Sequence, residues 1–341
     1  MKKNKSKRTT LKDVALKVGL TPMAVSLAIN NDKSIPIKTK ERILQAVKEL
    51  NYYPNLAARA LIKGKTNNIA VVSHSFYSVF DLAIMKAIED KIGFSPYGVN
   101  YFSTKGLADM ENEIFRKIFY GRMADGIISF GMVPKPDMLK ACRAAGFPII
   151  VVEGPVENTH INVVTVDNLN GGALAAAHFI KKGKKNIVCV TGAPHHSRSL
   201  KNRKDGFEKE LANAGIKLEE KNIFELPFLN FETGKTVYRE KISQLKNVDA
   251  VFCAAGDMVA IGIIHEAKKA GVDVPGNLSV IGYDNLEAAS FMTPTLTTIK
   301  QPLVEIGEKV AELMMKIIKN GKKDISEKVV FKPQLVEGES A

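Results

Sequence analysis

The chain has 341 residues, 45% of them hydrophobic and 25% charged, with a mean hydropathy of −0.05. That balance suits a globular protein of two or three domains, and no apolar run reaches the ~18–20 residues needed to cross a bilayer. Charge is distributed unevenly: of 49 Lys and Arg and 36 Asp and Glu, 15 bases but only 4 acids lie in Met1–Lys65, leaving 34 against 32 for the other 276 residues. A positive excess confined to one end predicts a polyanion bound there and a near-neutral body behind it.

The opening MKKNKSKRTT leads into an amphipathic pattern and not an apolar signal core, so a cytoplasmic location is expected. Leu11, Val14, Ala15 and Val18 recur at helical spacing, and Gly19 supplies a turn residue tolerant of positive φ. Thr21 is a good N-cap and Pro22 a good first residue for a second helix, whose inner face is Val25, Ala28 and Ile29. A third helix is predicted around Thr39–Leu50, with Ile43, Val47 and Leu50 inward. Two short helices joined by a tight turn form a helix-turn-helix, whose second helix enters the major groove of DNA. Pro22, Met23, Ala24 and Leu27 would meet base edges through apolar contacts, since none offers paired hydrogen bonds to a purine. Thr21, Ser26 and Asn30 suit phosphates, which set register without reading sequence, and Thr10 joins the DNA-contacting set.

The segments TLKDVALKVGLTPMAVSLAINN and TKERILQAVKELNYYPNLAARALIKGKT, with features further along, resemble the lactose/galactose-repressor (LacI/GalR) family over essentially the whole chain. The resemblance implies a helix-turn-helix head (1–52), a hinge helix (53–66) and a core (67–341) similar to periplasmic sugar-binding proteins. The core's first subdomain is expected at about 67–166 and 296–325, the second at about 167–295 and 326–341. It also implies a homodimer on a pseudo-palindromic operator, with affinity set by a small effector. Ala24 and Leu27 depart from the family's frequent Thr and Arg, so the operator is expected to differ from the common consensus. In the hinge, Asn55, Ala58 and Arg59 would lie at the DNA, and Leu61 would wedge into the minor groove and kink the duplex.

Beyond Lys65, apolar runs (NIAVVS, YGVNYFS, DGIISFG, PIIVVEG, NIVCVTG, AVFCAAGD, LSVIGYDN) alternate with helical patterns. The fold class expected is therefore α/β: two subdomains with parallel sheets, a break near Val166–Asn168, and ligand bound at the strand ends between them. Glu153 ends one such strand, while Phe76, Phe80 and Phe231 are candidate ring platforms and Ser197 a candidate polar contact. The resemblance adds Arg203, from the family's R-x-x-G-F segment, and Asp284, which matches the Asp that often holds effector hydroxyls. Asp257 is expected to be structural, capping the next helix; the chain from Thr295 is expected to cross back to the first subdomain, and from Lys332-Pro333 onward to return to the second.

Cys142, Cys189 and Cys253 are odd in number, widely spaced and set among apolar residues, which predicts buried thiols and no disulfide framework or metal site. His195-His196 reads as a solvated pair, and His265-Glu266 lacks the second His of a zinc-protease helix. Gly64-Lys65-Thr66 and Gly234-Lys235-Thr236 lack the first Gly of a phosphate loop, since Arg59 and Leu229 stand there. Neither a catalytic set nor a cofactor motif emerges. An effector-controlled, DNA-binding regulator, most naturally a repressor of carbohydrate-related genes, is the reading. The alternatives are a transport solute-binding protein, or an α/β enzyme or binding protein for sugars or nucleosides.

Overall fold

A computed structural model describes residues 9–54, 60, 64–75, 78–155, 161–192, 198–321 and 326–341. They divide into two compact units, Met1–Thr66 and Asn67–Ala341. In the first unit, helix α1 (Leu11–Val18) starts at a reciprocal cap, in which Thr10 accepts from the Asp13 amide and the Asp13 carboxylate accepts from the Thr10 amide. Gly19 ends it in the left-handed region (φ 64°). Thr21 caps α2 (Pro22–Ile29) and accepts from the Ala24 amide. α3 runs from Ile37 to Glu49, two residues earlier than its sequence pattern indicates. Val14, Ala15, Val18, Val25, Ala28, Ile43 and Ala46 are buried together, ringed by Leu11, Leu20, Ile29, Val47 and Leu50. An Arg42 guanidinium closes the bundle on the Val18 carbonyl at 2.8 Å.

The second unit holds two six-stranded sheets. The first comprises β1 (Asn68–Ser73), β2 (Gly98–Ser103), β3 (Ile127–Phe130), β4 (Ile149–Val152), β5 (Asn162–Val166) and β11 (Lys328–Phe331), in the order β11-β5-β4-β3-β1-β2, all parallel. The second comprises β6 (Ile187–Gly192), β7 (Ile223–Leu226), β8 (Ala250–Cys253), β9 (Ser279–Asp284), β10 (Thr297–Lys300) and β12 (Gln334–Val336), in the order β12-β10-β9-β8-β6-β7. Only its β10–β12 pair is antiparallel. The central strands are buried on both faces, which is why they read as continuous apolar runs. Helices α4 (Val79–Ile92), α5 (Ala108–Tyr120), α6 (Pro136–Ala144), α7 (Asn168–Lys181), α8 (Arg198–Asn213), α9 (Phe231–Glu240), α10 (Asp257–Lys269), α11 (Ala288–Phe291) and α12 (Leu303–Asn320) complete the two lobes.

The chain passes between the lobes three times. The first passage follows β5, as the break near Val166–Asn168 indicates. The second corrects the sequence expectation, and the third corrects one subdomain bound. Thr297–Lys300 stays in the second sheet, paired with β9 and β12, so the return to the first lobe comes at Gln301, not Thr295. Lys328–Phe331 pairs with β5 in the first sheet, so the last passage lies at Lys332–Pro333, where the sequence places the return to the second subdomain, and the second subdomain's final segment begins there and not at 326. Both strands have four residues, β10 is rich in Thr, and β11 pairs with a strand 165 residues earlier in the chain.

Glycines set the close approach of α7 and α8. A Cβ at Gly206 would lie 1.9 Å from the Leu169 carbonyl oxygen, and one at Gly172 1.9 Å from that of Arg203. A Cβ at Gly171 would meet the Tyr283 hydroxyl at 2.0 Å. Only bare backbone allows these helices to cross so tightly, and the crossing places Arg203 above the end of β9. Cys142, Cys189 and Cys253 are buried free thiols, and burial pushes Cys142 and Cys189 up to about 12.

Candidate functional site

In the first unit, α2 presents a mixed surface. Met23 is 72% exposed, Thr21, Pro22 and Asn30 are exposed, and Ala24, Ser26 and Leu27 are half-buried. Thr10 and Thr21 also serve as helix caps. The Asn30 side-chain amide donates to the Ser26 carbonyl at 2.8 Å, so it helps to finish α2 as well as lying on its surface. Asn55, Ala58, Arg59 and Leu61 lie outside the described residues.

The second unit carries a buried polar cluster where strand ends of the two lobes meet. Glu153 follows β4 in a left-handed conformation (φ 57°), and Asp284 ends β9 at φ 108°. Such backbone is uncommon for side-chain-bearing residues and concentrates at functional sites. Glu153 Oε1 accepts from the Thr165 hydroxyl and the Val166 amide, both at 3.1 Å. Its Oε2 accepts from Asn168 Nδ2 at 2.8 Å and from the Ser199 hydroxyl on α8. Asn168 Oδ1 in turn accepts from Arg203 Nε at 2.8 Å and from the Tyr283 hydroxyl at 3.3 Å.

Arg203 is 6% exposed. Its guanidinium lies 3.7 Å above the Tyr283 ring centre, donates through Nη1 to the Ala254 carbonyl at 3.0 Å, and stands 3.8 Å from Asp284 Oδ1. That same oxygen accepts from Gln301 Nε2 at 2.6 Å. Burial pushes the Asp284 carboxyl up to about 6, against the opposing pull of Arg203 and Gln301. Asp81, in the first turn of α4, accepts from the Ser73 hydroxyl at 2.6 Å; burial also raises it to about 6, and the charges of Asp284 and Glu153 add to the rise. A cation, three carboxylates and a set of amides thus converge from both lobes.

Of the residues expected at an effector site, the structure brings together Glu153, Arg203 and Asp284. Phe80, next to Asp81, packs against an apolar cluster that also holds Leu286 of the second lobe. One other is placed elsewhere. Phe231 turns edge-on to His265, with Lys235 over its ring, because Asn230 caps α9 and points the first turn toward α10. Leu229 is the residue that reaches the end of β6: a Cβ on Gly192 would lie 3.3 Å from its side chain. Phe76, Ser197, His195 and His196 lie outside the described residues. Asp257 is structural but caps nothing; it accepts from the Thr298 hydroxyl at 2.6 Å and the Leu286 amide at 2.7 Å, and burial drives its carboxyl well above the usual range. Sequence reasoning missed Asp81, Asn168, Ser199, Tyr283 and Gln301. Their signal was positional, since each flanks a strand end or opens a helix there.

Residues 10–55 match the bacterial regulatory proteins of the lacI family, and residues 176–341 match the periplasmic binding protein-like domain. The HTH-type transcriptional regulator DegA of Bacillus subtilis is 30% identical over 334 residues, spanning 96% of this chain and 97% of its own. The chain belongs to the lacI family. The HTH-type transcriptional repressor PurR of Vibrio parahaemolyticus is also 30% identical, across 95% of this chain and 96% of its own. In fold, a lac repressor dimer solved with operator and the anti-inducer ONPF superposes with a TM-score of 0.85 at 23% identity, covering 98% of this chain and 99% of that one. This lacI-family protein is accordingly a DNA-binding transcriptional regulator with a ligand-binding core, and the relatives it matches are regulators. Among its described residues, no helix is long and apolar enough to cross a membrane, and no group of His, Cys, Asp and Glu is arranged to hold a metal ion.

Proposed function

We propose that this protein is a cytoplasmic repressor that binds a palindromic operator as a homodimer and releases or tightens on it when a small sugar or sugar derivative enters the cleft. The carrying observation is the coexistence of a basic helix-turn-helix with an interlobe cluster in which Glu153 of the first lobe accepts from Ser199 of the second. A ligand contacting Arg203 or Asp284 would compete with bonds that tie the lobes, and a differential affinity for two lobe arrangements is what linkage requires. In this reading Met23, Ala24, Leu27 and Pro22 meet base edges, while Thr10, Thr21, Ser26 and Asn30 face phosphates. Asn55, Ala58, Arg59 and Leu61 keep the hinge roles that the family resemblance implies. Support for a two-fold assembly and a sugar comes from similar proteins: a lac repressor dimer bound to operator, and transcriptional regulators solved with cellobiose or ribose. The protein is read as non-enzymatic, its core polar groups being joined to one another in a binding network.

Selection of duplexes from a randomised pool with the full-length protein, followed by fluorescence anisotropy on the winner, tests this directly. A palindromic winner bound as a dimer, and released or tightened by a cleft ligand, is expected. Equal affinity for all duplexes would refute the reading.

A further inference from the structure

Among the described residues, the cleft's charges and hydrogen-bond capacities are both unbalanced, and in the same direction. Three carboxylates, Asp81, Glu153 and Asp284, act on one another's surroundings, and Arg203 is the cation set against them. Most side-chain donors are already committed. Ser199 and Asn168 serve Glu153, Ser73 serves Asp81, Gln301 Nε2 serves Asp284, and Tyr283 serves Asn168. Arg203 spends Nε on Asn168 and Nη1 on Ala254, which leaves Nη2.

Acceptors, by contrast, are left over. Asp284 Oδ2 receives no donor among the described residues. Gln301 is 2% exposed, and its Oε1 is buried without a partner, although its own amide sits on Asp284. A buried carbonyl oxygen lacking a donor costs free energy that a bound donor would recover. A metal ion is a poor answer to the excess negative charge, because no ligand set for one is formed among the described residues. An organic cation with several N–H groups fits better: an ammonium offers three donors and a full positive charge.

We propose that the effector carries a protonated primary amine beside a hydroxyl group, as in an amino sugar or amino alcohol. The ammonium lies between Asp284 and Gln301 Oε1 in the field of Asp81, and the hydroxyl oxygen faces Arg203 Nη2. Sugar phosphates and sugar acids are disfavoured, since they would add negative charge to a site whose described residues already hold a surplus. This rests on the cleft being the effector site and narrows what enters it.

The test is thermal shift and calorimetry on the full-length protein with a charge-matched panel. The panel holds glucosamine, galactosamine, mannosamine, serinol and ethanolamine, the N-acetyl forms of the amino sugars, the parent hexoses, glucose 6-phosphate, glucuronate, KCl and MgCl2. At least one amine raises the melting temperature, and N-acetylating it or introducing Asp81→Asn weakens binding by about tenfold or more, as losing a partly buried charge partner should. The N-acetyl arm removes charge from the ligand alone, so it stands even if the variant folds poorly. A panel in which no amine binds overturns the proposal. So does a tightest binder that is neutral, anionic or a simple metal ion, or an amine whose affinity ignores both changes. A neutral or anionic binder that still alters operator affinity would sink the amine while leaving the regulator reading intact.

Discussion

Glu153 at the end of β4 and Ser199 in the first turn of α8 are joined across the two lobes by a hydrogen bond to a carboxylate. Bonds of this type to a charged acceptor contribute about 1.5–3 kcal/mol. Ser199→Ala is therefore expected to loosen the lobes, with amides at the end of β4 and the start of α8 exchanging about tenfold faster or more. In a Glu153→Gln background the same change should have much less effect, because the two residues share one interaction. Undiminished acceleration in the double variant would separate them.

Arg203 cannot be replaced by another cation without loss. Its fork reaches Asn168, Ala254 and Asp284 at once while its plane covers Tyr283, and a lysine offers neither the planarity nor the spread. Arg203→Lys should lower the melting temperature by about 5 °C or more, since breaking a buried pair costs about 3–5 kcal/mol. Thermal unfolding followed by circular dichroism measures this; an unchanged midpoint would mean the guanidinium bears no structural load.

The glycines beside Arg203 yield a separate prediction. Gly206→Ala places a methyl 1.9 Å from the Leu169 carbonyl oxygen, so α7 and α8 must move apart. A loss of about 1–3 kcal/mol is expected, as for other overpacked sites, read as a lower urea midpoint at unchanged slope.

The sequence disclosed what depends on local chemistry. Gly19, Thr21 and Pro22 mark helix ends by capping and backbone geometry, so the turn from α1 into α2 was legible, whereas the Thr10 cap of α1 was not read. Fully buried central strands stood out as apolar runs. Legibility failed where strands are very short or partners are far apart in the chain. TTIK at β10 and KVVF at β11 are too short and mixed to declare a sheet. Asn168 meets Arg203, and Gln301 meets Asp284, only because separate strands end at one place. Phe231 looked like a platform because it is aromatic and lies near a strand end, but the Asn230 cap fixes the helix start that carries its ring to His265.

Asp81 and Asp284 give the core a pH dependence of definite sign. Both carboxyls sit near 6 when folded against an ordinary 3.8, so the native state holds their protons more tightly than the unfolded chain does. Their contribution to stability is then fullest below about 4, declines as pH rises toward about 6, and is flat above that. Asp81→Asn removes a poorly compensated charge and should raise the melting temperature at pH 7 by about 2–4 °C, while flattening the profile between pH 4.5 and 6.5. A lower midpoint at pH 7 would show that the Asp81 charge is stabilising instead.

DNA binding, finally, should divide into a salt-sensitive and a sequence-sensitive part. The first 65 residues hold 15 bases against 4 acids, and every phosphate they neutralise releases a counterion. A dimer making roughly 6–10 such contacts would lose about 10³–10⁵ in affinity between 50 and 200 mM salt. The wedge proposed at Leu61 would act differently, since unstacking a base step helps only at the operator centre. Leu61→Ser is thus expected to weaken binding to the selected operator much more than to random duplex, with the salt slope unchanged. Anisotropy titrations on both duplexes at several salt concentrations measure the two parts independently. Equal losses on operator and random DNA would place Leu61 outside the reading of sequence, even with the electrostatic part intact.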